Sequence, residues 1–219
     1  MPGAKQQFIL VYFVLGTIIL SRVMPIDWRN QTETLRDCIL LAWGLSLVNI
    51  FFLNGGLGRL FGIRPRRPLG LLGIPLSPLF HRNLGHLIAN TLPFAVLGWL
   101  MLLQGQDSFY TVTATILLIG GIGTWLFGRD AVHLGASGLI FGYMGYLVLR
   151  GYLGPTILAV GLAVMVILLY GGQLLTLLPG ATKGPISWEG HLFGFLGGVM
   201  AAMYPDLLTQ VANLLRDLL

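Results

Sequence analysis

The chain is poor in charge. Only 10% of its 219 residues are Asp, Glu, Lys or Arg, whereas 55% are hydrophobic and the mean hydropathy is +0.81. A soluble domain carries about a quarter charged residues, and so few polar side chains cannot coat a globule of this length. The composition therefore excludes an ordinary water-soluble domain and predicts an integral membrane protein.

The low numbers of cysteines and of clustered charges narrow the class of membrane protein further. Cys38 is the only cysteine, which excludes an internal disulfide. The formal net charge of +5 comes without any dense basic run, so we expect contacts with membrane lipids and none with nucleic acid. All carboxylates except Glu189 fall in, or at the ends of, the stretches between apolar runs. That distribution is expected because a charge buried in hydrocarbon costs on the order of 3 kcal/mol.

Six apolar runs after residue 34 approach the length of about 20 residues that a membrane-spanning helix needs. They cover residues 35–53, 86–103, 108–127, 137–150, 155–178 and 187–204. The fourth run is short and follows a glycine-rich segment, which indicates a special site buried in protein. The sequence therefore predicts an all-α polytopic membrane bundle with a six-helix core.

The runs divide the chain into three segments. Residues 1–34 form an N-terminal segment, whose apolar run 8–23 we interpret as an extra membrane helix because it lacks a signal-peptide cleavage site. Residues 35–204 form the core, and residues 205–219 form an amphipathic tail at the interface. Within the core, residues 54–80 are rich in Gly, Pro and Arg yet apolar, so we expect them to lie half-embedded in one leaflet, with residues 64–67 at lipid headgroups.

Four polar residues far apart in the sequence are predicted to converge at one depth. His86 and Asn90 share a face of the second helix, Ser137 opens the fourth, and His191 lies about one turn into the sixth. These three helices enter the membrane from the same side, so all four residues fall within about 10 Å of that face. A serine hydroxyl becomes nucleophilic when a histidine takes its proton. We therefore predict Ser137 as nucleophile and His191 as base, with His86, Asn90 and the Ser137 amide as candidate oxyanion donors.

Glycines allow the fourth and sixth helices to approach. His191, Gly194 and Gly198 form one stripe, and Gly138 and Gly142 give the fourth helix a matching small surface. Phe141, one turn below Ser137, is predicted to form an apolar floor for the imidazole. Taken singly, a membrane Ser or Asn is more often a packing hydrogen bond, and His81 and His133 are interpreted as structural polar groups.

Three motifs resemble those of the rhomboid intramembrane proteases. They are His81-x-x-x-x-His86-x-x-x-Asn90, Gly135-Ala136-Ser137-Gly138 and Gly190-His191-x-x-Gly194-x-x-x-Gly198, and their order and helix numbers agree over residues 35–204. The resemblance implies a Ser137–His191 dyad without metal or cofactor, an oxyanion hole of His86, Asn90 and the Ser137 amide, and substrates that are single-span membrane proteins. It also implies a bacterial plasma membrane and a cavity that opens to the extracytoplasmic side. This sequence departs from the family in having Phe141 where Tyr is frequent, and in lacking an evident Trp-Arg pair in the first loop.

Two other function classes remain open at this stage. A small polytopic transporter would place a charge or a broken helix at the membrane midplane, whereas the polar residues here cluster near one face. A silent rhomboid relative that binds transmembrane helices would lack the serine or the histidine, and this chain has both. Metalloprotease and aspartyl-protease chemistry is excluded because no His-Glu-x-x-His motif and no aspartate pair lies within the predicted spans.

Orientation and access give two further expectations. Alternating spans place most arginines on the face that carries the site, so the positive-inside tendency makes that face cytoplasmic, opposite to what the resemblance implies. The fifth helix and the loop after it are rich in Gly and Pro, which predicts a gate there. Phe94 and Trp99 are predicted to lie at the contact between the second and fifth helices, where smaller side chains would maintain or raise activity.

Overall fold

The structure, a computed structural model, describes residues 28–154, 156–180, 187–207 and 210. Six long helices run in the order α1 (Trp28–Phe51), α2 (Leu84–Leu102), α3 (Gln106–Phe127), α4 (Ser137–Leu153), α5 (Ile157–Tyr170) and α6 (Trp188–Met203). Within these ranges no β-strand occurs, so the predicted all-α bundle is confirmed. The predicted extra helix over residues 8–23 and most of the predicted tail lie outside the described residues.

Among the residues that the structure describes, four segments are long and apolar enough to cross a membrane, namely Arg29–Phe51, Leu84–Leu102, Gln106–Phe127 and Ile157–Leu177. The helices that carry Ser137 and His191 are shorter, with 17 and 16 residues. Helix α4 packs against α2, α3, α5 and α6, and all of its residues from Leu139 to Leu147 are buried. A helix surrounded by protein does not need to match the bilayer thickness by itself, which explains why the predicted fourth span is short.

The backbones of α4 and α6 are in direct contact. A Cβ atom added at Gly194 would overlap the Gly138 backbone, and one added at Gly198 would overlap the Gly142 carbonyl. Only glycine fits at such positions, because any side chain would push the helices apart. The predicted glycine surfaces therefore face each other, and they bring the start of α4 next to the first turns of α6.

The first loop is broken into short helical pieces, with α-helical turns at Gly56–Phe61 and Gly73–Leu76 and 3-10 turns at Pro68–Leu72 and Ser77–Leu79. It is fixed to the end of α3, because Trp125 Nε1 donates to Arg67 O at 2.9 Å and Arg66 N donates to Trp125 O at 2.9 Å. Its leucines at positions 60, 69, 71 and 72 are exposed. An apolar surface on a segment too short to span fits the predicted half-embedded position.

The predicted fifth helix changes character before its end. α-Helical geometry stops at Tyr170, and residues Gly171–Leu177 continue as 3-10 turns. The change occurs at the consecutive glycines Gly171 and Gly172, where the helix propensity is lowest. The α-helix is therefore shorter than the predicted run over residues 155–178. The tighter 3-10 turns after it determine which side chains face α6.

The predicted position of Phe94 is wrong. Its ring lies 6.1 Å from that of Tyr143 on α4, and it lines a mainly apolar cavity of about 230 Å³ bounded by α1, α2, α3 and α4. Phe94 thus faces the side of the bundle away from α5. Its removal would enlarge an internal cavity, which costs stability instead of opening a gate.

Candidate active site

A cavity of about 180 Å³ lies at the ends of the bundle where α2, α4 and α6 begin. Ser137, His86 and His191 line it together with Arg82 and His133. Three of the four residues that the sequence predicted to converge therefore share one cavity. They arrive on three different helices, so their proximity is a property of the fold.

The backbone before Ser137 makes a sharp turn past His86. Gly135 has a φ of 112°, and its N–H donates to Ser77 O at 2.9 Å. A Cβ atom at this residue would be 2.6 Å from His86 Cε1. Glycine is required for both reasons, since a side chain would be strained at this φ and would collide with the imidazole. Ser137 is consequently the first residue of α4, beside His86.

His191 is buried and its ring has contacts on one face and one edge. It stacks on Phe141, with ring centroids 4.2 Å apart and an interplanar angle of 17°, so phenylalanine forms the predicted apolar floor without a hydroxyl. Its Nδ1 lies 3.0 Å from Thr176 Oγ1, and Thr176 Oγ1 donates to Gln173 O at 2.8 Å. The sequence did not single out Thr176, because it belongs to no motif and its neighbour on α6 is 15 residues away.

The two predicted donors on α2 differ in position. His86 lines the cavity, and its backbone N–H donates to the capping side chain of Asn83 at 2.8 Å. Asn90 lies one turn deeper, and its side-chain amide donates to His86 O at 2.8 Å. Asn90 lines the neighbouring apolar cavity. One amide hydrogen of Asn90 is therefore bound to the helix backbone, and its side chain is not among those that line the cavity of Ser137.

His81 stabilises the turn that precedes Ser137 by accepting a hydrogen bond from its backbone. Its Nε2 accepts a hydrogen bond from Ala136 N at 3.3 Å, so its Nδ1 carries the proton and donates to Ser46 Oγ at 3.0 Å. Burial, with a smaller contribution from the charge of His86, lowers the pKa of His81 to about 4. The imidazole is thus neutral at pH 7 and can keep accepting from the amide that precedes Ser137.

A second polar cluster ties the loop before α4 to the start of α6. Ser187 caps α6 by accepting from Gly190 N at 3.0 Å, and its hydroxyl lies 2.6 Å from His133 Nδ1. The fully buried Glu189 accepts from Arg129 N at 3.2 Å, and its carboxylate is 3.5 Å from Arg129 Nε. Glu189 therefore pairs with Arg129 in the loop before α4 and not with His191.

We expect Glu189→Ala to destabilise the protein, because it removes the buried carboxylate that accepts from the Arg129 backbone N–H. Arg129 is partly exposed and can hydrate, so the loss should be about 1–3 kcal/mol, smaller than for a fully buried pair. The measurement is the unfolding midpoint of the purified protein in detergent. Asp37→Asn is the matched control, since its ion pair with Arg36 is exposed on both sides and should contribute little. Equal midpoints for both variants would contradict the structural role of Glu189.

Comparison with known proteins identifies the family. The model of the Rhomboid domain matches residues 70–205. Uncharacterized proteins of Mycobacterium bovis and Mycobacterium tuberculosis are each 42% identical over 182 residues, which is 80% of this chain and 75% of theirs. An uncharacterized protein of Mycobacterium leprae is 41% identical over 151 residues, 64% of this chain and 59% of its own. The relatives indicate a bacterial origin, and the apolar helices make the protein integral to the membrane. The chain belongs to the rhomboid family.

Proposed function

We propose that the protein is an intramembrane serine endopeptidase that cleaves transmembrane segments of single-span membrane proteins. The observation that supports this most is the single cavity lined by Ser137, His191 and His86 at the helix ends. A nucleophile, a base and an oxyanion donor are the groups that acyl transfer requires. The glycine contact between α4 and α6 keeps the first two on neighbouring backbones.

The proposed reaction has two halves. His191 Nε2 takes the proton of Ser137 Oγ while Oγ attacks the scissile carbonyl carbon, and the carbonyl oxygen becomes an oxyanion held by His86, the Ser137 amide and Asn90. The C–N bond then breaks, and His191 gives its proton to the departing amine. Water, deprotonated by His191, attacks the acyl-enzyme and releases the new carboxyl end together with Ser137. Burial of the site requires the substrate helix to unwind, because its backbone must reach Ser137 in extended form.

The cavity is proposed to open to the extracytoplasmic side of a bacterial plasma membrane, as in the family it belongs to. The arginines of the first loop then lie outside. They belong to a segment that is predicted to be half-embedded and is fixed to α3, and positive-inside statistics describe simple connecting loops.

The proposal is tested with the detergent-solubilised full chain. We expect it to cleave members of a panel of single-span membrane proteins, and a fluorophosphonate probe to form an adduct that mass spectrometry maps to Ser137. Binding of panel members without cleavage or adduct would instead identify a silent relative that binds transmembrane helices. An adduct at another serine would overturn the assignment of Ser137.

The proposed oxyanion donors His86 and Asn90 are expected to affect kcat more than KM. His86→Ala should lower kcat by about 100-fold with little change in KM, because its interaction strengthens as charge develops on the oxygen. Asn90→Ala should have a smaller effect, since this side chain lies one turn deeper and one of its amide hydrogens is already bound. Steady-state kinetics on a cleaved panel member measure both. A raised KM with unchanged kcat would show that these residues bind the substrate and not the oxyanion.

A further inference from the structure

The hydrogen bonds around His191 define which ring nitrogen carries its proton. Thr176 Oγ1 has one hydrogen, and it points to Gln173 O at 2.8 Å. With that hydrogen on Gln173 O, the oxygen is free to accept from His191 Nδ1, which lies 3.0 Å away. In this network His191 is assigned the tautomer with hydrogen on Nδ1 and a lone pair on Nε2.

We infer that Thr176 is a positioning residue for the catalytic base, the third member of a Thr176–His191–Ser137 relay. This rests on the proposed function. A neutral imidazole has one basic nitrogen, and only the Nδ1–H tautomer leaves Nε2, on the other edge of the ring, free to take the serine proton. Thr176 selects that tautomer through its own bond to Gln173.

The hydroxyl also acts on the protonated state. When His191 takes the serine proton it becomes an imidazolium, in which both nitrogens are donors. Thr176 Oγ1 is already in place to accept from Nδ1, and it stabilises the cation more than the neutral ring. In the triad of serine proteases a carboxylate fills this position. Here the nearest candidate, Glu189, is paired with Arg129, so a neutral hydroxyl takes the place.

Three fixed contacts together restrict the ring. The face stacks on Phe141 at 4.2 Å, the Nδ1 edge meets Thr176, and the backbone is fixed where Gly194 meets the Gly138 backbone. Stacking alone leaves the ring free to flip by 180° about its Cβ–Cγ bond, which exchanges its edges. The Thr176 hydroxyl removes that freedom, because the flipped ring presents a C–H to it.

The test compares Thr176→Val, which keeps the shape and loses the hydroxyl, with Thr176→Ser, which keeps it. For Thr176→Val we expect a three- to tenfold lower kcat and a similar fall in the fluorophosphonate labelling rate, which is the effect of one neutral hydrogen bond. KM should change little. The acid limb of the pH–rate profile should move to lower pH, because the imidazolium has lost an acceptor. Thr176→Ser should keep the wild-type kcat, labelling rate and pH–rate profile.

Thr113→Val is the matched control, since the Thr113 hydroxyl makes a comparable part-buried contact of 2.7 Å with Tyr143 OH and does not line the cavity of Ser137 and His191. It should leave the pH–rate profile unchanged. A Thr176→Val protein with the wild-type rate and acid limb would overturn the inference, and so would a Thr176→Ser protein as impaired as Thr176→Val.

A spectroscopic measurement separates this inference from the proposed function. Only four histidines occur in the chain, so ¹⁵N-histidine labelling in lipid gives a simple spectrum in which the His191 signals are those that His191→Ala removes. We expect His191 in the Nδ1–H tautomer in wild type and a mixture in Thr176→Val. An Nε2–H tautomer in wild type overturns the role of Thr176 whether or not the protein cleaves anything. Absence of a Ser137 adduct with the expected tautomers overturns the protease assignment alone.

Discussion

Ser137→Ala and His191→Ala are each expected to abolish cleavage while the protein remains folded. The first removes the proposed nucleophile, and the second removes the proposed base that takes its proton. Because the two act as one unit, each loss should reach about a thousandfold or more, and the double variant should be little worse than either one. Cleavage of a single-span substrate and fluorophosphonate labelling measure the loss.

Folding must be measured in parallel for these variants. Ser137 lies at the cavity and not in the packed interior, so its unfolding midpoint should stay near that of the wild type. His191→Ala also loses the stack on Phe141 and should be slightly less stable. Ser108→Ala, in the first turn of α3, is the matched control and should retain full activity. Substantial cleavage or labelling by Ser137→Ala would overturn the dyad.

Gly198→Leu is expected to destroy both stability and activity. An added Cβ would overlap the Gly142 carbonyl, so α4 and α6 must separate where their backbones touch. His191 lies two turns away on the same helix, and a shift of about 1 Å between reacting groups can cost about 100-fold in rate. The leucine side chain also overpacks this contact and lowers the free energy of unfolding, since overpacking of a tight core costs about 1–3 kcal/mol or more. Unfolding in detergent and residual cleavage provide the two measurements.

Gly161→Ala supplies the control for this substitution. No atom of the described residues lies within 4 Å of the position where its Cβ would be, and alanine favours helix over glycine by about 1 kcal/mol. We expect it to be neutral or slightly stabilising. Gly198→Ala should lie between the two, because its single carbon already overlaps the carbonyl. Wild-type stability and rate for Gly198→Ala would mean that α4 and α6 are not held as closely as the glycines indicate.

Local patterns were sufficient to predict the helices and the convergence of Ser137, His191 and His86 on one cavity. Apolar runs have a length set by the bilayer, and three helices that start on one side place their first turns at one depth. The close approach of α4 and α6 could also be predicted from their glycine stripes, since small residues at helical spacing have few other roles in lipid.

Contacts between distant irregular segments could not be predicted. Thr176 reaches His191 only because α5 tightens into 3-10 turns after Tyr170, and no local pattern distinguishes that from a continued α-helix. His133 and Ser187 are 54 residues apart, and their bond depends on how two loops meet above α4 and α6. Phe94 was misplaced for a related reason. An aromatic residue on a helix with several neighbours gives no sign of which neighbour it packs against.

The 3-10 segment Gly171–Leu177 connects helix α5 to the proposed base, because its Thr176 contacts His191. Helix α5 packs mainly against α4, and its outer side chains, such as Ile157 and Leu168, are 96% and 79% exposed. If a substrate enters by displacing α5, Thr176 leaves with it and His191 loses the acceptor on Nδ1. The order of events would then be fixed as entry, return of α5 and only then acylation. Turnover would be limited by the return of α5, and a helix that stays wedged in the opening would act as an inhibitor even with a cleavable bond beside Ser137.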